Sequence, residues 1–115
     1  CGAVSAGYAC GAAITYMLGG NFTQIANTII NTLANTSGII CDGAKPSCAA
    51  KISSALDAAL LAHTMSMHDD VFHADAGIVK DDLEKTIRAV GYIGREGMKS
   101  TDIEVLNIMI DKVCP

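Results

Sequence analysis

Apolar positions recur along this chain at helical rather than strand spacing, and five segments carry the pattern. Gly2 to Leu18 is apolar on nearly every face and rich in small residues, among them Gly7 and Gly11. It reads as a buried helix against which neighbours pack closely. A membrane span is the weaker reading, because the segment stands at the lower length limit and lacks a charged flank. Gly19-Gly20-Asn21 ends it, since glycine adopts the left-handed cap cheaply. Phe22 to Asn35 reads as a second helix with Ile25, Ile29, Ile30 and Leu33 on its apolar side. Asn27, Asn31 and Asn35 form an amide stripe on the same helix, either a hydrogen-bonded face or the lining of a polar pocket.

A third helix is expected from Pro46 to Met67, with Ile52, Leu56, Ala59, Leu60 and His63 repeating at helical spacing. Pro46 suits its first turn, where a missing N–H costs nothing. Phe72 to Val79 reads as a loop. A fourth helix is expected over Asp81 to Gly97, supported by the i, i+4 pairs Asp81–Lys85 and Glu84–Arg88. Gly91, Gly94 and Gly97 on it suggest a groove for another helix. Ser100 or Thr101 caps a last helix, Thr101 and Glu104 having capping-box spacing. Its apolar face is Ile103, Leu106, Met109, Ile110 and Val113. No segment alternates like a strand. The fold expected is all-α: one compact bundle of about five helices over residues 1–115.

Composition narrows the class. Half of the 115 residues are hydrophobic, yet there are only three tyrosines, two phenylalanines and no tryptophan. Such content suits close-packed helices. A net charge of −4 argues against a nucleic-acid surface. The chain has five cysteines, an odd number in a helical composition, which points to a reducing cytoplasm rather than a disulfide scaffold. No basic segment precedes the first apolar stretch, so no signal peptide is read there. The expectation is a piece of a longer protein.

The candidate chemistry lies in Ser37 to Cys48. Cys41 falls in a loop and Cys48 in a first helical turn, where free N–H groups and the helix dipole favour negative charge. Cys1, Cys41 and Cys48 taken together make a three-thiolate set. Such a set leaves one position open on a zinc ion or on one iron of a cubane cluster. Reduced, unligated cysteines and a redox disulfide are the competing readings. Cys10 reads as a small buried hydrophobe. His63, His68 and His73 do not share one helical face; with Asp69, Asp70 and Asp75 they suggest a hard-metal site as the weaker reading, a solvated helix end and loop being the default.

The stretch N-T-L-A-N-T-S-G-I-I-C-D-G-A-K-P-S-C-A-A-K, residues 31–51, resembles the signature of the iron–sulfur-dependent L-serine dehydratase α-chain family, particularly its cysteine desulfidase-like branch. C-G-A-V-S-A-G at 1–7 is similar to the family's first cluster-cysteine region. Residues 77–88 and 93–102 are similar to its C-terminal helices. The resemblance implies the cluster-bearing C-terminal part of a larger helical catalytic domain in a cytoplasmic, bacterial amino-acid catabolic enzyme. It implies a [4Fe-4S] cluster held by Cys1, Cys41 and Cys48, with one iron open to substrate. It further implies conversion of L-serine or L-cysteine to pyruvate and ammonia, with sulfide released from cysteine.

Lys45 is then the candidate partner of the substrate carboxylate, helped by backbone N–H groups near Gly43 and Ala44. Asp42, Ser37, Asn31 and Asn35 are candidates for substrate or supporting hydrogen bonds. Cys114 is a further candidate ligand for the open iron. The catalytic base is expected in the N-terminal half of the protein, which is also the expected partner of this chain along with the amino-acid substrate. The glycine-rich and methionine-containing faces point to partner surfaces, a second copy included. The alternatives are a non-catalytic all-α module and a structural zinc domain.

Overall fold

The structure, a computed structural model, describes residues 1–111. Those residues are helical, without strands. Helix α1 spans Gly2–Met17, α2 Phe22–Thr36, α3 Ser47–Met67, α4 Leu83–Tyr92 and α5 Met98–Met109. None is long and apolar enough to cross a membrane.

Helices α1, α2 and α3 pack mutually and form the core. What lets them approach is the smallness of the side chains between them. A Cβ placed on Gly7 would stand 2.8 Å from Ala55 Cβ and 3.0 Å from Ala55 O. One placed on Gly11 would stand 3.1 Å from both Ala59 Cβ and Thr28 Cγ2. Glycine is therefore required at Gly7 by contact, despite costing about 1 kcal/mol in helix propensity. The close packing expected of these glycines is what the structure has.

The face that α3 buries differs from expectation. Ala55, Ala58, Ala59, Ala62 and Ser66 are buried, whereas Ile52, Leu56 and Leu60 are exposed. Only small side chains fit against the glycine face of α1, so fit outweighs the greater transfer gain of the larger residues. The same reason corrects Cys10, which is exposed. It neighbours Gly11 but points about 100° away around the helix.

The core is also more polar than the apolar periodicity implies. Thr28, Thr32 and Thr36 are buried along α2. Their hydroxyls donate to the carbonyls of Gln24, Thr28 and Thr32, at 2.9, 2.7 and 2.8 Å. Bonding within the helix lets a threonine be buried without an orphaned polar group. Where the three helices meet, Thr15 Oγ1 lies 2.8 Å from both Thr28 Oγ1 and His63 Nδ1. His63 is thus engaged in the core. Among the described residues no buried side-chain nitrogen or oxygen lacks a partner.

Helix starts follow local chemistry. Asn21 Oδ1 accepts from Gln24 N at 2.9 Å and Gln24 Oε1 accepts from Asn21 N at 2.9 Å, a capping box at the head of α2. Asp82 caps α4 by accepting from Lys85 N at 2.7 Å. Of the pairs expected along α4, Asp81–Lys85 forms at 2.9 Å. Glu84–Arg88 is not among the ion pairs of the described residues.

The break expected after Gly97 does not occur. Helix α4 runs into a π-helical turn, Ile93–Gly97, and that into α5. Thr101 lies inside α5, so there is no capping box at Thr101–Glu104. The two last expected helices are one rod with a π turn, a feature common at functional sites. Among the described residues of the rod, only α4 packs on the bundle, against α2. Ile103, Leu106, Met109 and Ile110 remain exposed. The resulting radius of gyration is 15.4 Å, against ~13 Å for an evenly compact domain of about this length.

Candidate functional site

A cavity of about 320 Å³ lies between the start of α1, the end of α2, the following loop and the rod. Cys1 caps α1, with Val4 N donating to its carbonyl at 3.1 Å, and lines the cavity. Cys41 lines it from the loop after α2. Val4, Leu33, Ile87 and Val90 give it apolar walls, and Ser5, Tyr8, Ser37 and Asp102 give it polar groups. Gly91 and Gly94 line it from the rod, and a Cβ on either would meet nothing within 4 Å. The groove these glycines suggested is thus open, with no helix of the described residues packed into it.

The cysteine loop is held by one lysine. Lys51, on α3, donates to Ile40 O at 2.8 Å and to Asp42 Oδ1 at 2.6 Å, the residues on either side of Cys41. The hydrogen bond from Lys51 holds the Asp42 carboxyl below its ordinary 3.8. The same bond raises Lys51 above 10.5, against the opposing effect of burial. Gly43 turns the loop at φ +86°, a conformation that suits glycine.

The other candidates fall elsewhere. Cys48 donates to Gly43 O at 3.3 Å and does not line the cavity. Among the described residues, no three His, Cys, Asp or Glu side chains converge as a ready-made metal site. Cys1, Cys10, Cys41 and Cys48 are all free thiols. Lys45 is exposed and outside the lining. Asn31 is buried in a structural role. It donates to Asp70 O at 3.0 Å and accepts from Phe72 N at 3.0 Å, pinning the segment after α3. Asn35 lines a separate, shallower hollow with Ser54 and Asp57. Cys114 lies outside the described residues.

Two residues of this region escape a reading of the sequence. Lys51 closes the motif that carries the resemblance, yet only the fold shows its reach back to Ile40 and Asp42. Asp102 enters the cavity because the rod is continuous, whereas a helix break at Gly97 hides that arrangement.

An all-helical fold with two cysteines and a carboxylate around one small cavity defines a class of candidate small-molecule sites, and comparison with known proteins narrows it. The model of the serine dehydratase alpha chain family matches residues 1–107. The chain belongs to that family. It is 57% identical over 110 residues to a UPF0597 protein of Treponema denticola, covering 96% of this chain and 26% of that protein. It is 56% identical over 111 residues to a UPF0597 protein of Lachnoclostridium phytofermentans, covering 96% and 27%. With a UPF0597 protein of Parabacteroides distasonis it shares 46% identity over 114 residues, covering 99% and 26%. The chain therefore spans about a quarter of the length of the curated relatives it matches. No solved structure matches it.

Proposed function

We propose that this chain is the cysteine-bearing part of an iron–sulfur-dependent lyase that converts L-serine or L-cysteine to pyruvate and ammonia. The observation that carries the reading is the meeting of Cys1 and Cys41, far apart in sequence, at one cavity in a chain of the serine dehydratase alpha chain family. The donor chemistry fits a [4Fe-4S] cluster. Three free cysteines fall within or beside the loop and cavity, and thiolates are the usual ligands of such clusters. Cys1, Cys41 and Cys48 would hold it, Cys48 giving up its bond to Gly43 O.

When bound, a cluster with one open iron supplies a Lewis acid for the departing hydroxide or hydrosulfide. The reaction removes the α-proton and the β-substituent, giving aminoacrylate and water or hydrogen sulfide. Hydrolysis of the aminoacrylate then yields pyruvate and ammonia. The base that takes the α-proton belongs to the remaining length of the protein. The chain's own share is reception of the substrate. Asp102, the one carboxylate among the described lining residues, faces the substrate ammonium, and Ser37 and Ser5 offer hydroxyls to the carboxylate. Val4, Leu33, Ile87 and Val90 limit the water around the reacting carbons.

The test is anaerobic reconstitution of the full-length protein with iron and sulfide, beside a Cys41→Ser variant. About four irons and four sulfides per chain are expected, lost in the variant. Pyruvate should form from L-serine or L-cysteine. Full-length protein that takes up no iron and forms no pyruvate overturns the proposal. Zinc without acid-labile sulfide would identify a structural zinc domain instead.

A further inference from the structure

Lys51 occupies an unusual position for a cation. Its side chain is only 22% exposed, and its ammonium bonds to the residue before Cys41 and to the residue after it. It stands three positions after Cys48 on α3, so the two lie on neighbouring parts of one helix face. The lysine thus joins the helix that carries one cysteine to the loop that carries another.

We propose that Lys51 is a positioning residue, an ammonium brace that holds Cys41 toward the cavity it shares with Cys1. A loop fixed at Ile40 O and at the Asp42 carboxylate has little freedom left at Cys41, because the peptide unit before it and the side chain after it are both tethered to a helix. The loop needs such a tether. Gly43 follows at a positive φ, and Cys41, Gly43, Ala44 and Lys45 are all exposed, so core packing does not order the turn. The brace also keeps one positive charge beside Cys41 and Cys48, the correct sign to favour the thiolate form in which cysteines bind a metal. Hydrogen bonding to Asp42, with smaller effects of Cys48 and Cys41 in the same direction, raises Lys51 above 10.5, so the brace stays cationic at neutral pH. What the brace serves rests on the lyase reading; its existence does not.

The experiment uses the full-length protein, prepared metal-free and anaerobically, with a bifunctional alkylating reagent that links neighbouring thiols. The Cys1–Cys41 product is quantified by peptide mass. The unmodified protein is expected to give this product. Lys51→Met keeps the aliphatic stem and removes the ammonium, and is expected to lower the yield roughly tenfold, the scale of a lost charged hydrogen bond. Lys51→Arg is expected to restore most of it. Asp42→Asn weakens one anchor without touching α3, and is expected to fall between. An equal yield in Lys51→Met, or no Cys1–Cys41 product in the unmodified protein, overturns the brace.

Iron and sulfide uptake of the same proteins is measured in parallel. Uptake that falls in Lys51→Met and returns in Lys51→Arg ties the brace to the cluster. A brace seen by cross-linking in a protein that binds no iron leaves the brace standing and removes the lyase reading, so the two failures are distinguishable.

Discussion

Between α1 and α3 an added methyl group has nowhere to go, whereas along α4 and the π turn it would meet empty space. Gly7 faces Ala55 at a distance no Cβ tolerates, while Gly91 and Gly94 face nothing within 4 Å. The two regions differ as much in their larger side chains. The bundle buries alanine, threonine and glycine, and the rod leaves Ile103, Leu106, Ile108 and Ile110 exposed. The bundle is closed by fit. The rod is placed by its start on α2 and by its own helical bonds. The cavity lies where the two meet, so one wall is rigid and the other rests on fewer contacts.

That difference can be broken first at Asn31, which anchors the segment joining the bundle to the rod. Asn31→Ala leaves the Asp70 carbonyl and the Phe72 amide without their partner. The expected loss is about 2 kcal/mol, the scale for removing a buried hydrogen-bonding side chain. Denaturant unfolding followed by circular dichroism measures it. A loss below about 0.5 kcal/mol, as for an ordinary surface site, would show that the anchor does not hold the segment.

The same substitution made on both sides sharpens the contrast. Gly7→Ala gains helix propensity but drives a methyl group into Ala55, and is expected to destabilise by about 1–2 kcal/mol net. Gly91→Ala has the propensity gain without the contact, and is expected to stabilise by about 0.5–1 kcal/mol. Thermal or denaturant melts of the two variants should shift in opposite directions. Shifts of one sign would mean that the two helices are not packed as differently as the structure has them.

These substitutions also mark what the sequence makes legible. The all-helical class and the limits of the first three helices follow from periodicity and the Gly19-Gly20-Asn21 break. The buried face of α3 does not, because hydrophobicity ranks Ile52, Leu56 and Leu60 above Ala55 and Ala59, and selection by fit depends on Gly7 and Gly11 arriving opposite. Cys1 and Cys41 are legible as chemistry and in fact share a cavity. Lys45 is the cation nearest to Cys41 in sequence, yet Lys51 is the one that reaches its loop, since a helix returns every third or fourth residue to one side. The Asn27–Asn31–Asn35 stripe divides between a buried anchor and a separate hollow, because three amides spaced along α2 meet different neighbours. Ile93–Gly97 defeats a residue-by-residue reading for a related reason. Two glycines and a nearby capping pattern suggest an end, but the neighbouring turns keep the helix continuous.

The smallest expected effect lies at the head of the rod, where an exposed ion pair adds to the packing of the first turn. Lys85 bonds both oxygens of Asp81 at 2.9 Å and approaches Asp82 at 3.4 Å. The bond to Lys85 lowers Asp81 below its ordinary 3.8. Hydrogen bonds to Asp81 and Asp82 raise Lys85 above 10.5. A carboxyl lowered by folding stabilises the folded form above its unfolded value and loses that effect as pH falls through the lowered one. Lys85 stays charged throughout that range, so the loss belongs to Asp81. Amide exchange near pH 3 should therefore show Lys85 and Thr86 less protected, relative to neutral pH, than Thr28 to Leu33 in the bundle. At 1 M salt the pair is screened, and the same loosening should appear at neutral pH to a smaller degree. Protection that falls equally in both regions on acidification would mean that the bundle too depends on ionised groups, and that fit alone does not close it.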